Sequence, residues 1–233
     1  MNLIHVFILS LVEGLTEFLP ISSTGHMILA SKLLGISETD FVKTFEIVIQ
    51  LGAIAAVAVL YFNKFWKSLT GNWELIKKLL LAFVPTAVVG FTLYPIIKGV
   101  LLGSSAITLN SLFWGGVALI GIEWFLKRKK TESQSVGEVS YRQALLIGTF
   151  QSLSVIPGVS RAAATIMGGL LTGLDRETAT EFSFLLAVPT MVAATALDVY
   201  KSRRVIAQGG FLTLFIGMVL SFFFAILAVK FLI

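Results

Sequence analysis

Apolar residues fall along this chain in five long runs and two interrupted ones. Residues 45–62, 79–97, 107–126, 182–199 and 211–233 each approach or reach the roughly 20 residues a helix needs to cross a hydrocarbon core. Residues 3–12 and 27–36 are about half that length, and they flank E-G-L-T-E-F-L-P-I-S-S-T-G-H at 13–26. Residues 144–156 and 162–174 flank P-G-V-S-R at 157–161 in the same way. Short apolar halves joined by a Pro/Gly/Ser break predict re-entrant hairpins, which enter a membrane and return on the same side.

The interrupted segments are copies of one another. Pro20 and Pro157, Ser23 and Ser160, Phe45 and Phe182, and Lys64 and Lys201 all stand 137 positions apart. A single offset over so long a stretch predicts an internal duplication. The first repeat covers 1–126, with a re-entrant hairpin at 3–36 and spans at 45–62, 79–97 and 107–126. A basic linker follows at 127–142. The second repeat covers 143–233, with a hairpin at 144–174 and spans at 182–199 and 211–233. Three spans per half is an odd number, so the halves run in opposite directions, as an inverted repeat. The copy of 107–126 would begin near position 244, past Ile233, so the last span of the second half is expected to be either lost or cut off. The expected fold class is an all-α polytopic membrane protein.

Composition agrees. Hydrophobic residues make up 56% of the 233 and charged residues 13%, about half of what soluble domains carry. Mean hydropathy is +0.91. Residues 1–12 lack a basic n-region and an A-x-A-like site, so no cleavable signal peptide is expected. The absence of cysteine excludes disulfides, thiolate metal sites and a cysteine nucleophile. A net charge of +5 reflects loop lysines and arginines that set topology, so no nucleic acid partner is expected. Linkers 63–79 and 127–142 hold nine of the 18 basic residues and fall on one side, which is therefore cytoplasmic. Lys201, Arg203 and Arg204 then fall outside, against that rule.

Polar groups at membrane depth are costly unless paired, metal-bound or facing water, so they mark function. Glu13 and Glu17, spaced i, i+4, share a helix face, where two carboxylates share a proton or hold a divalent cation. Oxygen ligands suit Mg²⁺ or Ca²⁺; a proton or sodium site is the alternative. Ser22, Ser23 and Thr24 supply hydroxyls at a helix start, where N–H groups and the dipole favour phosphate, although serines there also serve as plain N-caps. His26, one turn past Ser23, is a candidate base, acid or nucleophile.

The second hairpin repeats this design with Ser160 as the cap. Arg161 follows at a helix start, where a cation is unfavourable without a bound anion. A salt bridge to Glu13 or Glu17 would compensate equally. Thr165 lies on the Arg161 face. Glu46 is a candidate support for the site. Glu181 and Asp198 are expected near span ends. Gly115, Gly116, Gly121, Gly169 and Gly173 are expected to allow close helix packing.

At 13–26 and 157–161 the chain resembles the undecaprenyl-diphosphate phosphatase family, also called bacitracin resistance proteins. The likeness extends through K-T-F-E-I-V-I-Q-L-G at 43–52 and E-F-S-F-L-L-A-V-P at 181–189 to about residue 231. It implies hydrolysis of the lipid carrier diphosphate to monophosphate and inorganic phosphate, recycling the carrier for cell-wall synthesis. It also implies a multi-pass protein of the bacterial plasma (inner) membrane, with its site open to the outer face and a divalent cation required. Carried over by motif, Glu13 and Glu17 are the acidic pair, Ser23 and His26 the reacting groups, and Arg161 the phosphate clamp. Ser160 and Thr165 assist around the phosphate. Family members usually read S-R-S-G-A-T where this chain has Ala162, and they continue into one more span. The resemblance leaves a homodimer open.

The expected chemistry is phosphoryl transfer where the two hairpins meet, with Ser23 attacking phosphorus and the prenyl tail between apolar spans. Attack by His26 or by metal-bound water stays open. A lipid flippase or transporter using the same site without hydrolysis is the rival reading, and an inactive remnant is a third.

Overall fold

The computed structural model describes residues 1–63, 73–126, 135–207 and 210–232. Most of the basic residues used for orientation (Lys64, Lys67, Lys127, Arg128, Lys129 and Lys130) lie outside them. The described residues are helical, with no strand among them. The helices are α1 (Leu3–Thr16), α2 (Ser23–Leu33), α3 (Asp40–Leu60), α4 (Trp73–Thr92), α5 (Ser105–Leu126), α6 (Tyr141–Gln151), α7 (Arg161–Leu171), α8 (Arg176–Ala207) and α9 (Phe211–Leu232). Short helical turns at Tyr94–Ile96, Ile97–Leu101, Val136–Glu138 and Ser152–Val155 complete them.

Five helices (α3, α4, α5, α8 and α9) are long and apolar enough to cross a membrane. The chain is a multi-pass membrane protein. Helices α1, α2, α6 and α7 run only 11 to 14 residues, too short for the roughly 20 that a span takes. They pack as two pairs, α1 on α2 and α6 on α7.

Several bounds differ from the apolar runs. The helices of the first pair extend into the polar stretch, so Glu13 and Thr16 are helical and only residues 17–22 break the chain. The run 79–97 is split: α4 starts earlier, at Trp73, and ends at Thr92. Pro95 has no N–H to donate to the Phe91 carbonyl, and a separate turn begins at Tyr94. Helix α6 stops at Gln151 and tightens into a 3₁₀ turn.

The largest departure is α8, whose 32 residues run through Lys201, Arg203 and Arg204. Charged side chains end an apolar run without ending a helix, since lysine and arginine are good helix formers. Asp198 is consequently inside the bundle and 1% exposed, not at a span end.

Close packing uses glycine, though not all those expected. A Cβ on Gly169 would press on Ala179 at 2.8 Å, whereas Gly115, Gly116, Gly121 and Gly173 face open space. Only Gly173 among these has positive φ, at +93°, where it ends the α7 turn. The tightest approach lies elsewhere, at Gly148 of α6, where a Cβ would overlap the Ala82 carbonyl of α4. Gly148→Leu is therefore expected to destabilise the fold by about 3 kcal/mol, an overpacking cost. Gly121→Ala should leave it unharmed. Thermal unfolding of both variants in detergent checks the contrast.

Candidate active site

Two helix starts face one cavity. Ser22 caps α2, its Oγ accepting from Gly25 N at 3.2 Å, and its own backbone sits at φ +66°. A serine seldom adopts that left-handed conformation, and here it follows the tight turn at 17–21. Ser160 caps α7 in the same manner, accepting from Ala163 N at 3.1 Å. The turn before it needs Gly158 at φ +95°, because a Cβ there would strike the Thr108 carbonyl of α5. Both caps supply the side-chain acceptor that a helix start requires.

The two starts are joined by a buried ion pair. Arg161 Nη2 lies 2.7 Å from Glu17 Oε1, across 144 residues of sequence, with side chains 6% and 4% exposed. The other Glu17 oxygen accepts a short hydrogen bond from Ser23 Oγ. Arg161 Nη1 donates to the Ser183 carbonyl of α8 at 3.2 Å. Its Nε is buried with no partner among the described residues. Thr165 Oγ1 donates within α7 to the Arg161 carbonyl at 2.9 Å and lies 2.6 Å from Ser183 Oγ, fixing α7 against α8.

A cavity of about 420 Å³ opens beside this pair. Glu17, Ser22, Ser23, Thr24, Ser160 and Arg161 make its polar wall. Phe83, Ala87 and Phe91 of α4 with Met191, Ala194 and Leu197 of α8 make an apolar one. An anionic headgroup on an apolar tail is what such a cavity suits. Tyr94, Lys98 and Asp198 also line it. Burial, and then the hydrogen bond that it donates to Asp198, raise the Tyr94 phenol above its ordinary pKa.

Three of the expected residues do not line this cavity. Glu13 is fully buried behind Glu17, Thr165 is buried behind Arg161, and His26 is half-buried beside the α2 start. His26 Nδ1 lies 2.8 Å from the Ser22 carbonyl, an acceptor only, so Nδ1 carries the proton. Glu46 Oε1 accepts from Ser31 Oγ at 2.9 Å and ties α2 to α3. Ser183, Gln50, Tyr94, Lys98 and Asp198 were not singled out as site residues by sequence. Lys98, an isolated cation between two apolar runs, and Asp198, a carboxylate inside one, carried a readable signal. Ser183 carried none.

Glu13 and Glu17 are oxygen donors of the kind a hard cation takes, with both Glu17 oxygens engaged here by Arg161 and Ser23. Both Glu13 carboxylate oxygens are buried with no partner among the described residues, next to Glu17 and Ser23. No group of three or more His, Cys, Asp or Glu that could hold a metal occurs among the described residues. Two carboxylates would leave the remaining positions to water and phosphate oxygens, the usual arrangement for Mg²⁺.

The whole-chain comparison decides the family. Residues 6–233 match the family described as bacitracin resistance protein BacA. The chain belongs to that family. Curated family relatives include an undecaprenyl-diphosphatase from Sulfurihydrogenibium sp. (strain YO3AOP1), 52% identical over 232 residues, covering 100% of this chain and 89% of that protein. The undecaprenyl-diphosphatase of Persephonella marina is 51% identical, covering 99% and 88%. That of Aquifex aeolicus is 50% identical, covering 96% and 85%.

Proposed function

We propose that this BacA family member is an undecaprenyl-diphosphatase, hydrolysing the lipid diphosphate to undecaprenyl phosphate and inorganic phosphate. The observation that carries this reading is the convergence of Glu17, Ser23 and Arg161 on one cavity with an apolar wall. Names shared by relatives at about half identity over the full chain support the substrate. The Ser23 hydroxyl aligned on Glu17 argues against the flippase alternative, which needs no nucleophile there.

In this reading the headgroup lies against the α2 and α7 starts, with the tail along α4 and α8. Arg161 shares its guanidinium between Glu17 and the terminal phosphate, whose charge it neutralises as that charge develops. Ser23 Oγ attacks the terminal phosphorus, and Glu17 Oε2, already its acceptor, takes the proton. The bond from that phosphorus to the bridging oxygen breaks, and the lipid monophosphate leaves with the electron pair. Water then attacks the serine phosphate, and the bond from phosphorus to Ser23 Oγ breaks. Ser23 Oγ takes back the proton held on Glu17, and both water hydrogens leave on the inorganic phosphate. Glu13 and Glu17 would hold a divalent cation, which supplies charge neutralisation to the diphosphate.

We further read the fold as an inverted repeat with re-entrant pairs α1/α2 and α6/α7. Helix bounds support it: α2, α3 and α9 start within two residues of the positions 137 away from α7, α8 and α4. Packing supports it too, because α1 and α3 pack on α9 while α6 and α8 pack on α4, each half exchanging a span with the other. Placement in the bacterial plasma membrane, with the site open outward, belongs to the same reading.

The test is phosphate release from undecaprenyl diphosphate by the purified chain in detergent. Release should stop on chelation and return with Mg²⁺ or Ca²⁺, and Glu13→Gln should raise the cation concentration needed by about tenfold. Release at full rate in excess chelator would remove the cation from the account.

A further inference from the structure

The cavity has a second cation far from the first. Arg161 reaches α8 at Ser183, whereas Lys98 reaches α8 at Asp198. Fifteen residues separate those anchors, about 22 Å along a helix axis at 1.5 Å per residue. One diphosphate group cannot bridge the two. Both cations nevertheless line the same cavity.

The Lys98 pair is built asymmetrically. Asp198 is 1% exposed and its Oδ1 accepts from Lys98 and, at 2.7 Å, from Tyr94 Oη. The Lys98 side chain is 14% exposed. The pair thus buries its anion more deeply than its cation, although both line the cavity. Only one of the three ammonium donors is spent on a carboxylate; the others reach neutral hydroxyls, Ser202 Oγ at 2.7 Å and Thr44 Oγ1 at 3.0 Å. A phosphate oxygen can replace a hydroxyl there without breaking the ion pair, and charge-assisted bonds are the stronger ones. Further positive charge surrounds this end: Lys43 Nζ donates to the Lys98 carbonyl, and Lys201 lies 4.4 Å from the Tyr94 ring centroid. Glu38 and Asp40 stand nearby on the exposed rim. Lys201 is also among the cations that break the topological charge rule, so a local use for it is wanted.

We propose that Lys98 is a second phosphate-binding station of the cavity. It takes the phosphate of an arriving lipid headgroup or of departing inorganic phosphate. This rests on the phosphatase reading for its ligand. Asp198 holds the ammonium in place and moderates its charge, so that the anion is held loosely and passes on.

Titration calorimetry of the purified protein with inorganic phosphate tests the station directly. Lys98→Met should weaken phosphate binding about tenfold, and Lys98→Arg should restore most of it. Asp198→Asn, which unmasks the ammonium, should tighten binding by about threefold or more. Opposite signs are the signature, since a merely structural ion pair would fail in the same direction from either side. Both variants weakening binding, or neither changing it, overturns the proposal. Should Lys98→Met fail to accumulate, the Asp198→Asn result alone decides by its sign.

Hydrolysis kinetics then separate the two sources. A raised KM with unchanged kcat in Lys98→Met assigns the station to the arriving headgroup. A raised inhibition constant for phosphate with unchanged KM assigns it to the product. A wild-type chain that releases no phosphate from the lipid defeats the proposed function instead, whatever Lys98 does.

Discussion

Arg161→Ala is expected to lower kcat/KM for the lipid diphosphate by about a thousandfold, or roughly 4 kcal/mol of transition-state stabilisation. Two effects add. The terminal phosphate loses a planar donor that matches its oxygens, and Glu17 is left buried without its counter-charge. Arg161→Lys keeps the charge and loses the fork, so it should fall between, at about thirtyfold. The Ser183 carbonyl, which now holds Nη1, would also lose its partner. Steady-state kinetics with both variants check the order: wild type, lysine, alanine. Equal activity for lysine and alanine would mean that charge does not matter at this position.

Ser23→Ala is the second large effect, with kcat reduced about a thousandfold or more and KM little changed. The hydroxyl is already aligned on Glu17 Oε2, the geometry of a nucleophile with its base. His26→Gln should cost far less, about tenfold, because the imidazole is outside the cavity lining and tied through Nδ1 to a backbone carbonyl. The two variants therefore separate the nucleophiles that the sequence left open. If Ser23→Ala turns over normally while His26→Gln does not, attack runs through the imidazole.

Much of this site was legible from residue order. Two apolar halves around a polar break located both helix starts. The constant offset, which paired Ser23 with Ser160, came within one residue of the two caps, Ser22 and Ser160. An arginine at a helix start demanded an anion, and the structure supplies one in Glu17. Neither contact nor cavity could be read so directly. Ser183 gives Arg161 a backbone carbonyl, which any residue type offers, so that contact leaves no trace in composition. Asp198 was expected at a span end because hydropathy marks where the apolar run stops, whereas α8 continues for eight more residues on helix propensity. Lys98 stands in a short turn after Pro95, a place that ordinarily reads as loop. The glycines of α5 show the converse error: spacing suited to close packing says nothing of whether a partner helix is there.

Ionic residues 144 positions apart acting on a single diphosphate is the claim beneath all the rest. A double-mutant cycle with Glu17→Gln and Arg161→Lys, read in kcat/KM so that each variant keeps measurable turnover, examines it most directly. The account predicts strong non-additivity, with the double variant about as impaired as the worse single one. Losses that simply multiply would mean that the two side chains serve separate events, and would contradict it.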